Sequence, residues 1–213
     1  NSNASSSIGI AVKDSALTLG EKVNINITGD KSLGIYGNGV TYTDNAVTDI
    51  LELSLTGKGS IGAYLTNQNS NILFRTKSVT LGNSLDSNNY SGGIYIDGTG
   101  KIDLETGNIT IGNAPSSGEA FGVYVKSGTG ANIGSIKTGD INISEDSALG
   151  IYGENVKNIQ TGNITAGKTG IYQINRDTAA GVLNAGLMTV TGNVDNVLGI
   201  YTSNDGVVDV TVS

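Results

Sequence analysis

Apolar and polar residues alternate in short segments along the chain. The segments Ile8–Val12 (IGIAV) and Phe121–Val125 (FGVYV) both carry an apolar residue at every second position. Successive side chains of a β-strand point to opposite faces, so this pattern predicts short strands with one apolar face. On this interpretation Val123 and Val125 point to one face of their strand, and the glycine and the tyrosine of the same segment point to the other.

A first repeated motif, here called the Tyr motif, is an apolar residue followed by Gly, an aliphatic residue and Tyr. Ile8–Ala11 is a copy with Ala11 in the tyrosine position, and the steps between successive copies are 20 to 31 residues. The shortest repeat is Leu149–Tyr172. Seven of the nine tyrosines therefore hold one position of a repeat, which indicates a coil of stacked turns. These residues are Tyr36, Tyr64, Tyr95, Tyr124, Tyr152, Tyr172 and Tyr201.

A second repeated motif, the Gly-Asn motif, lies between successive Tyr motifs and reads apolar-x-Thr-Gly-Asn-apolar-x-apolar. It predicts two more short strands that meet at a Gly-Asn corner, where both residue types tolerate positive φ. Its clearest copies are Leu104–Ile111, Ile136–Ile143 and Ile159–Ala166, and its weaker copies are Thr18–Ile25, Ala46–Leu53, Phe74–Leu81 and Thr189–Asn196.

The two motifs together predict an all-β fold. Three short strands per repeat bury their apolar faces by coiling about a shared core, and stacked turns pair equivalent strands in parallel about 4.8 Å apart. We therefore predict a parallel β-helix (a solenoid) of about eight turns that occupies residues 1–213 as one domain, a fragment of a larger protein. Right-handed coiling is expected because parallel crossovers are overwhelmingly of that hand. An antiparallel sandwich is the competing fold, but recurrence of one residue per turn favours self-stacking.

Composition removes several classes of function. The chain has 12 Lys and Arg against 19 Asp and Glu, a net charge of −7, which disfavours nucleic acid as a partner. It has no Cys for disulfides and no apolar run that approaches the ~20 residues of a membrane span. We expect a monomer without a cofactor.

Insertions into the repeat mark candidate binding residues. Gly82–Gly92 and Gly112–Ala120 insert at the same corner of neighbouring turns, so they should protrude side by side; we call them the loop pair. A third insertion, Gln173–Leu187, falls at a different corner. Loops on a rigid scaffold often carry function, although tolerated insertions are the alternative. The candidates are Asp86, Asn88, Asn89, Tyr90, Ser116 and Glu119 in the loop pair, with Arg176 and Asp177 in the third insertion.

Two repeated positions are candidates for a structural or a binding role. The alternation places the seven repeated tyrosines outside, as a tyrosine stripe that either covers neighbouring glycines and stiffens the sheet or binds a partner. The polar residues of the Gly-Asn corner are expected to form a ladder of side-chain hydrogen bonds along the coil axis. That ladder comprises Asn108, Asp140, Asn163 and Asn193.

Catalytic and metal chemistry is not predicted. Gly57–Gly62 matches G-x-G-x-x-G, but a dinucleotide site needs a helix after that loop, and no helical periodicity follows. The only adjacent acidic pair, Glu145 and Asp146, is expected in a solvated turn, and the chain contains no His. We therefore predict no catalytic residue and no metal ligand.

The spaced GIY copies that alternate with TGNI strands resemble the passenger repeats of large bacterial type V autotransporter adhesins, particularly the fusobacterial kind. The resemblance runs through Ala11, the seven tyrosine copies and the seven Gly-Asn copies. It implies a stalk on the bacterial cell surface, exported through an outer-membrane β-barrel. The membrane would be contacted only through that C-terminal barrel, which this chain lacks. The implied function is adhesion to a protein or glycan of host or bacterial cells. A carbohydrate-active β-helix enzyme or phage-tail depolymerase, and a pure structural spacer, are the alternatives.

Overall fold

The computed structural model describes residues 6–20, 22–44, 51–84, 90–116, 118–176, 180–192, 194–205 and 208–213. In these ranges the chain consists of short β-strands, their connections and one 3-10 turn at Gly130–Asn132. Equivalent strands of successive repeats pair in parallel. The prediction of an all-β parallel β-solenoid is confirmed.

The Tyr motifs form the first sheet, which has eight strands within the described ranges. Each strand pairs with the strand of the next Tyr motif, so Ala11 aligns with Tyr36, and every later repeated tyrosine aligns with the one after it. The strands are Ile8–Lys13, Leu33–Asn38, Ile61–Gln68, Ser91–Gly98, Ala120–Lys126, Leu149–Glu154, Thr169–Asn175 and Leu198–Asn204.

The Gly-Asn motifs form the other two sides of the coil, most of which belong to a second sheet of eleven strands among the described residues. Ile72–Leu81 and Ile102–Ser116 run unbroken through the corner, whereas later turns divide there into two strands, as predicted. The remaining strands are Val23–Ile27, Leu51–Leu55, Gly134–Lys137, Ile141–Glu145, Val156–Gln160, Ile164–Ala166, Gly181–Ala185, Met188–Val190 and Val208–Val212, with Ala16–Leu19 and Thr41–Asp44 as a separate pair.

The core lies along the coil axis and follows from alternation in the strands. In Leu51–Leu55 the three leucines are fully buried, while Glu52 and Ser54 between them are partly exposed. Phe74 and Tyr42 pack in the same core with their ring centroids 4.9 Å apart. Branched and aromatic residues on the inner faces of three sides thus supply the buried apolar surface that stabilises the coil.

The glycine of the Tyr motif faces the interior, so the prediction that it shares the outer face with tyrosine is wrong. A Cβ on Gly34 would lie 3.2 Å from side-chain atoms of both Leu53 and Leu55, which are fully buried. Gly34 and Ile35 are consecutive buried residues, because the strand departs from strict alternation at the glycine. The carbonyl of Gly62 in the next turn also occupies the space that a side chain would need.

In the described residues, the Gly and Asn positions of the Gly-Asn corner do not adopt positive φ. The prediction that these residues are present because they tolerate positive φ is therefore wrong. Positive φ occurs instead at other positions, such as Asp14, Gly39 and Asn155 after strands of the first sheet. The corner needs glycine because the preceding turn approaches closely: a Cβ on Gly162 would meet the side-chain oxygen of Asp140.

The third insertion and the last copy of the Gly-Asn motif were misplaced. Gly181–Ala185 pairs with Val156–Gln160, and Met188–Val190 pairs with Ile164–Ala166, so most of the presumed insertion is regular repeat. The corner of this turn reads Gly186-Leu187 in place of Gly-Asn. Its sequence signal was weak because neither Thr nor Asn is present there.

Candidate functional site

The tyrosine stripe is a continuous stack of rings on the outside of the first sheet. Neighbouring rings lie within 6° to 15° of parallel, with centroid separations along the stripe of 6.3, 4.7, 4.7, 4.4, 5.6 and 4.6 Å. Six of the seven side chains are half-buried, and Tyr201 is 40% exposed. Because the rings cover one another's faces, a partner can reach mainly their edges and hydroxyl groups.

A row of mostly apolar residues, here called the apolar row, runs beside the tyrosine stripe. It is formed by the first residue of the Tyr motifs, which is apolar in most copies but is Gly92 and Thr169 in two of them. Phe121 belongs to this row, and its ring stands edge-on to Tyr124 with centroids 6.5 Å apart. It lies over Gly92 of the preceding turn, where an added Cβ would sit 2.5 Å from Phe121 Cε1. Aromatic cover of a glycine therefore does occur, but Phe121 provides it, while the glycine of the Tyr motif faces the core.

A charged row runs along the other side of the tyrosine stripe. Asp97, Lys126 and Glu154 align on successive strands, and Lys126 Nζ lies 3.4 Å from Glu154 Oε1. The Tyr95 hydroxyl donates to Asp97 Oδ2 at 3.4 Å, and the Tyr152 hydroxyl donates to Glu154 Oε2 at 3.1 Å. These carboxylates hold the hydroxyls in place as hydrogen-bond donors.

Burial and these carboxylates keep the phenols protonated. Burial, followed by the charge of Asp97, raises the pKa of Tyr95 far above its usual value of about 10. Burial and then Glu154 raise the pKa of Tyr152 in the same way, and both also raise the pKa of Tyr124. The phenols in the middle of the tyrosine stripe therefore stay neutral to a higher pH than an ordinary tyrosine.

A shallow apolar recess of about 310 Å³ adjoins the tyrosine stripe at Tyr152 and Tyr172. It occurs in the shortest repeat, where only Gly167 and Lys168 connect two strands, so no inserted loop covers this part of the stripe. Sequence reasoning did not identify it. Its lining residues are Ser147, Ala148, Leu149, Tyr152, Lys168, Thr169 and Tyr172.

The bases of the loop pair are held together by Glu145, which is 1% exposed. Its Oε1 accepts hydrogen bonds from Ser84 N at 2.8 Å and from Asn83 Nδ2 at 3.1 Å, and its Oε2 accepts one from Ser84 Oγ at 3.1 Å. The strand between them in the stack, Ile102–Ser116, interrupts its regular pairing between Ile111 and Ser116. The side chain of Glu145 can therefore reach a connection two turns away. The expectation that Glu145 lies in a solvated turn is wrong.

Three loop-pair candidates lie in the described part of the chain. Tyr90 is 48% exposed and immediately precedes a strand of the first sheet. Glu119 is half-buried, and its carbonyl accepts a hydrogen bond from Ser91 N at 3.4 Å. Ser116 ends its strand, where its backbone pairs with Glu145. Asp86, Asn88 and Asn89 lie outside the described residues.

Arg176 is not near the loop pair. It is exposed at the end of Thr169–Asn175, on the opposite edge of the first sheet, and lines a polar groove of about 390 Å³ with Asn175, Ser203 and Asp205. Asp177, its predicted neighbour, lies outside the described residues. The sequence-predicted binding residues therefore divide between two corners of the coil.

Polar corner residues form a ladder along the coil axis. Asn108 Oδ1 accepts a hydrogen bond from Asp140 N at 2.9 Å, Asp140 Oδ1 accepts one from Asn163 N at 2.8 Å, and Asn163 Oδ1 accepts one from Leu187 N at 2.9 Å. Each link joins a side chain to a backbone amide, and Leu187 occupies the position after Asn163 in the ladder. Asn193 lies outside the described residues.

Most acidic side chains on the outer strands pair with cations. Arg75 Nε lies 2.8 Å from Glu105 Oε2, and Lys101 Nζ lies 2.7 Å from Asp103 Oδ2. Among the residues that the structure describes, no three His, Cys, Asp or Glu side chains are grouped as ligands for a metal ion.

Comparison with known proteins identifies no matching family model, no matching curated protein and no matching solved structure. Within the described ranges we find no helix with the length and apolar character required to cross a membrane.

Proposed function

We propose that this chain is a non-enzymatic stalk segment of a bacterial surface adhesin, displayed by the type V route. The observation that carries the proposal is the uninterrupted tyrosine stripe along one side of a rigid solenoid. Aromatic side chains with a polar tip supply contact area at low entropic cost, and tyrosine is enriched in binding hot spots. The resemblance of the repeats to autotransporter passengers supports display at the cell surface.

The proposed partner is a protein or glycan on a host or bacterial cell. Because the ring faces are covered, recognition would use ring edges and hydroxyls together with the apolar row and the recess beside Tyr152 and Tyr172. Glu145 and the strand carboxylates are already bonded to groups of the chain itself, which favours a scaffold over an enzyme.

The test is binding of fluorescent beads coated with the chain to host and bacterial cells. Replacing Tyr152 and Tyr172 together with Phe keeps the stacked rings but removes two hydroxyls. A lost hydrogen bond contributes about 1 kcal/mol, so each removal should weaken affinity roughly fivefold. Tyr42→Phe is the matched control, because Tyr42 is buried in the core.

The same assay distinguishes the alternatives. If Tyr90→Ala abolishes bead binding while the Tyr152/Tyr172 variant binds normally, the loop pair and not the tyrosine stripe carries adhesion. If beads bind no cell above the level of uncoated beads, the chain is a spacer. Release of reducing sugars from bacterial polysaccharides would instead support the enzyme alternative.

A further inference from the structure

The readily oxidised side chains of this chain are almost all tyrosines. The sequence has no Cys and no Trp, one Met and nine Tyr. The methionine, Met188, is partly buried against the core. Seven of the nine tyrosines are stacked in the tyrosine stripe, so one-electron oxidation of the chain is directed to one side of the coil.

The tyrosine stripe brings pairs of phenol rings close together. Tyr124 and Tyr152 are aligned on neighbouring parallel strands, with ring centroids 4.4 Å apart and planes within 6° of parallel. This is the shortest centroid separation in the tyrosine stripe. Both side chains are half-buried, so an oxidant can approach their edges.

A proton acceptor is already bonded to this pair. The Tyr152 hydroxyl donates to Glu154 Oε2 at 3.1 Å. A phenol that loses an electron becomes strongly acidic, so the carboxylate can take the proton as the electron leaves. The neighbouring Tyr95 has the same arrangement with Asp97.

We propose that the tyrosine stripe is a site of oxidative cross-linking, where Tyr124 and Tyr152 are joined as a dityrosine by hydrogen peroxide and a haem peroxidase. Each phenol loses one electron and one proton, and one molecule of peroxide takes both electrons and both protons to give two molecules of water. The two phenoxyl radicals form a bond between ortho carbons. The two ortho hydrogens then move as protons to the oxygens, which restores both phenols.

The product is a covalent link between two turns of the coil, which the backbone pairing otherwise joins only through hydrogen bonds. It requires no adhesion partner, so it stands or falls independently of the function proposed above. The ring centroids of Tyr36 and Tyr64 are 6.3 Å apart, so this pair is expected to remain unlinked.

The test treats dilute protein with peroxidase and peroxide, isolates the monomer and maps its cross-linked peptides by mass spectrometry. The expected product joins the peptides of Tyr124 and Tyr152 and is two hydrogens lighter than their sum. Treatment should also raise the melting temperature of the protein, and Tyr152→Phe, which retains the ring, should largely lose that increase. Tyr90→Phe, at an exposed position outside the stripe, should retain both effects.

The proposal is overturned if the tyrosines of the monomer are recovered unlinked. It is also overturned if dityrosine forms only in covalent dimers and disappears in the Tyr90→Phe variant, since that result would assign coupling to random collision of exposed side chains. Peptide mapping of the unsubstituted monomer decides the first outcome even if the Tyr152→Phe variant folds poorly. The second outcome needs only the Tyr90→Phe variant, whose substitution lies at an exposed position.

Discussion

The inward-facing glycine of the Tyr motif gives the sharpest test of how this solenoid is packed. In Gly122→Ala the new Cβ would lie 2.6 Å from the carbonyl oxygen of Gly150 and 2.9 Å from Ile141 Cγ2, whereas ordinary contacts are 3.4–4 Å. The carbonyl belongs to the next strand of the first sheet, and Ile141 is 1% exposed in the core. One neighbour is therefore a backbone atom of a paired strand, and the other is a buried core side chain.

The expected cost follows from two opposing effects. Overpacking of a well-packed core destabilises by about 1–3 kcal/mol. Replacing glycine with alanine restricts the unfolded chain and stabilises by about 0.4–1 kcal/mol. Since a backbone atom is one of the two clashing neighbours, we expect Gly122→Ala to lower the free energy of unfolding by about 1–2 kcal/mol.

Equilibrium unfolding in urea measures this effect. A loss of that size should lower the midpoint by roughly 0.5 M without changing the slope. Gly199→Ala is the matched control at the same position of the last Tyr motif, where the nearest atom to the added Cβ is Met188 Sδ at 3.9 Å. If both variants unfold at the unsubstituted midpoint, the glycine is not retained for packing and the argument from its close contacts fails.

Two further predictions concern the buried carboxylate and the phenols. Glu145→Ala leaves the Ser84 amide and hydroxyl without this acceptor, so it should lower the free energy of unfolding by about 3 kcal/mol and speed proteolysis within residues 82–92. Glu145→Gln keeps one acceptor oxygen and should lose less stability. Equal losses in the two variants would contradict a role for the hydrogen bonds. The second prediction concerns alkaline pH. A pKa raised in the folded state stabilises it fully below the unfolded pKa of about 10, and this contribution is lost as the pH rises through the folded value. Stability should therefore fall above pH ~10, and tyrosinate absorbance should show phenols that ionise later than the rest; a single normal transition for all nine would refute this. The late phenols are Tyr95, Tyr124 and Tyr152.

The repeat could be predicted from the sequence because identical residues recur once per turn. A parallel solenoid places equivalent positions in register, so the spacing of Tyr124 and Tyr152 in sequence directly predicted their alignment across neighbouring strands. The corner residues Asn108 and Asp140 were identifiable for the same reason. Where the pattern weakened, as at Gly186-Leu187, the strand assignment failed with it.

Features that depend on close contacts between turns could not be predicted from the sequence. Period-two alternation assigned Gly34 to the outer face, but the departure from alternation that turns it inward depends on packing against Leu53 and Leu55 of another side. The role of Glu145 was hidden because its partners lie 61 and 62 residues away, two turns along the coil. No local pattern encodes a contact that arises only after the intervening strand has left the ladder.

The parallel first sheet also determines how the chain would respond to mechanical force. Its backbone hydrogen bonds point along the coil axis. Tension between the two ends of the coil therefore acts along these bonds and separates one pair of strands at a time, whereas a shearing force would load many bonds together. Release of the 28-residue turn from Tyr124 to Tyr152 would add about 95 Å of extended chain at ~3.4 Å per residue. Under load such a coil lengthens in discrete steps and dissipates mechanical work at each step.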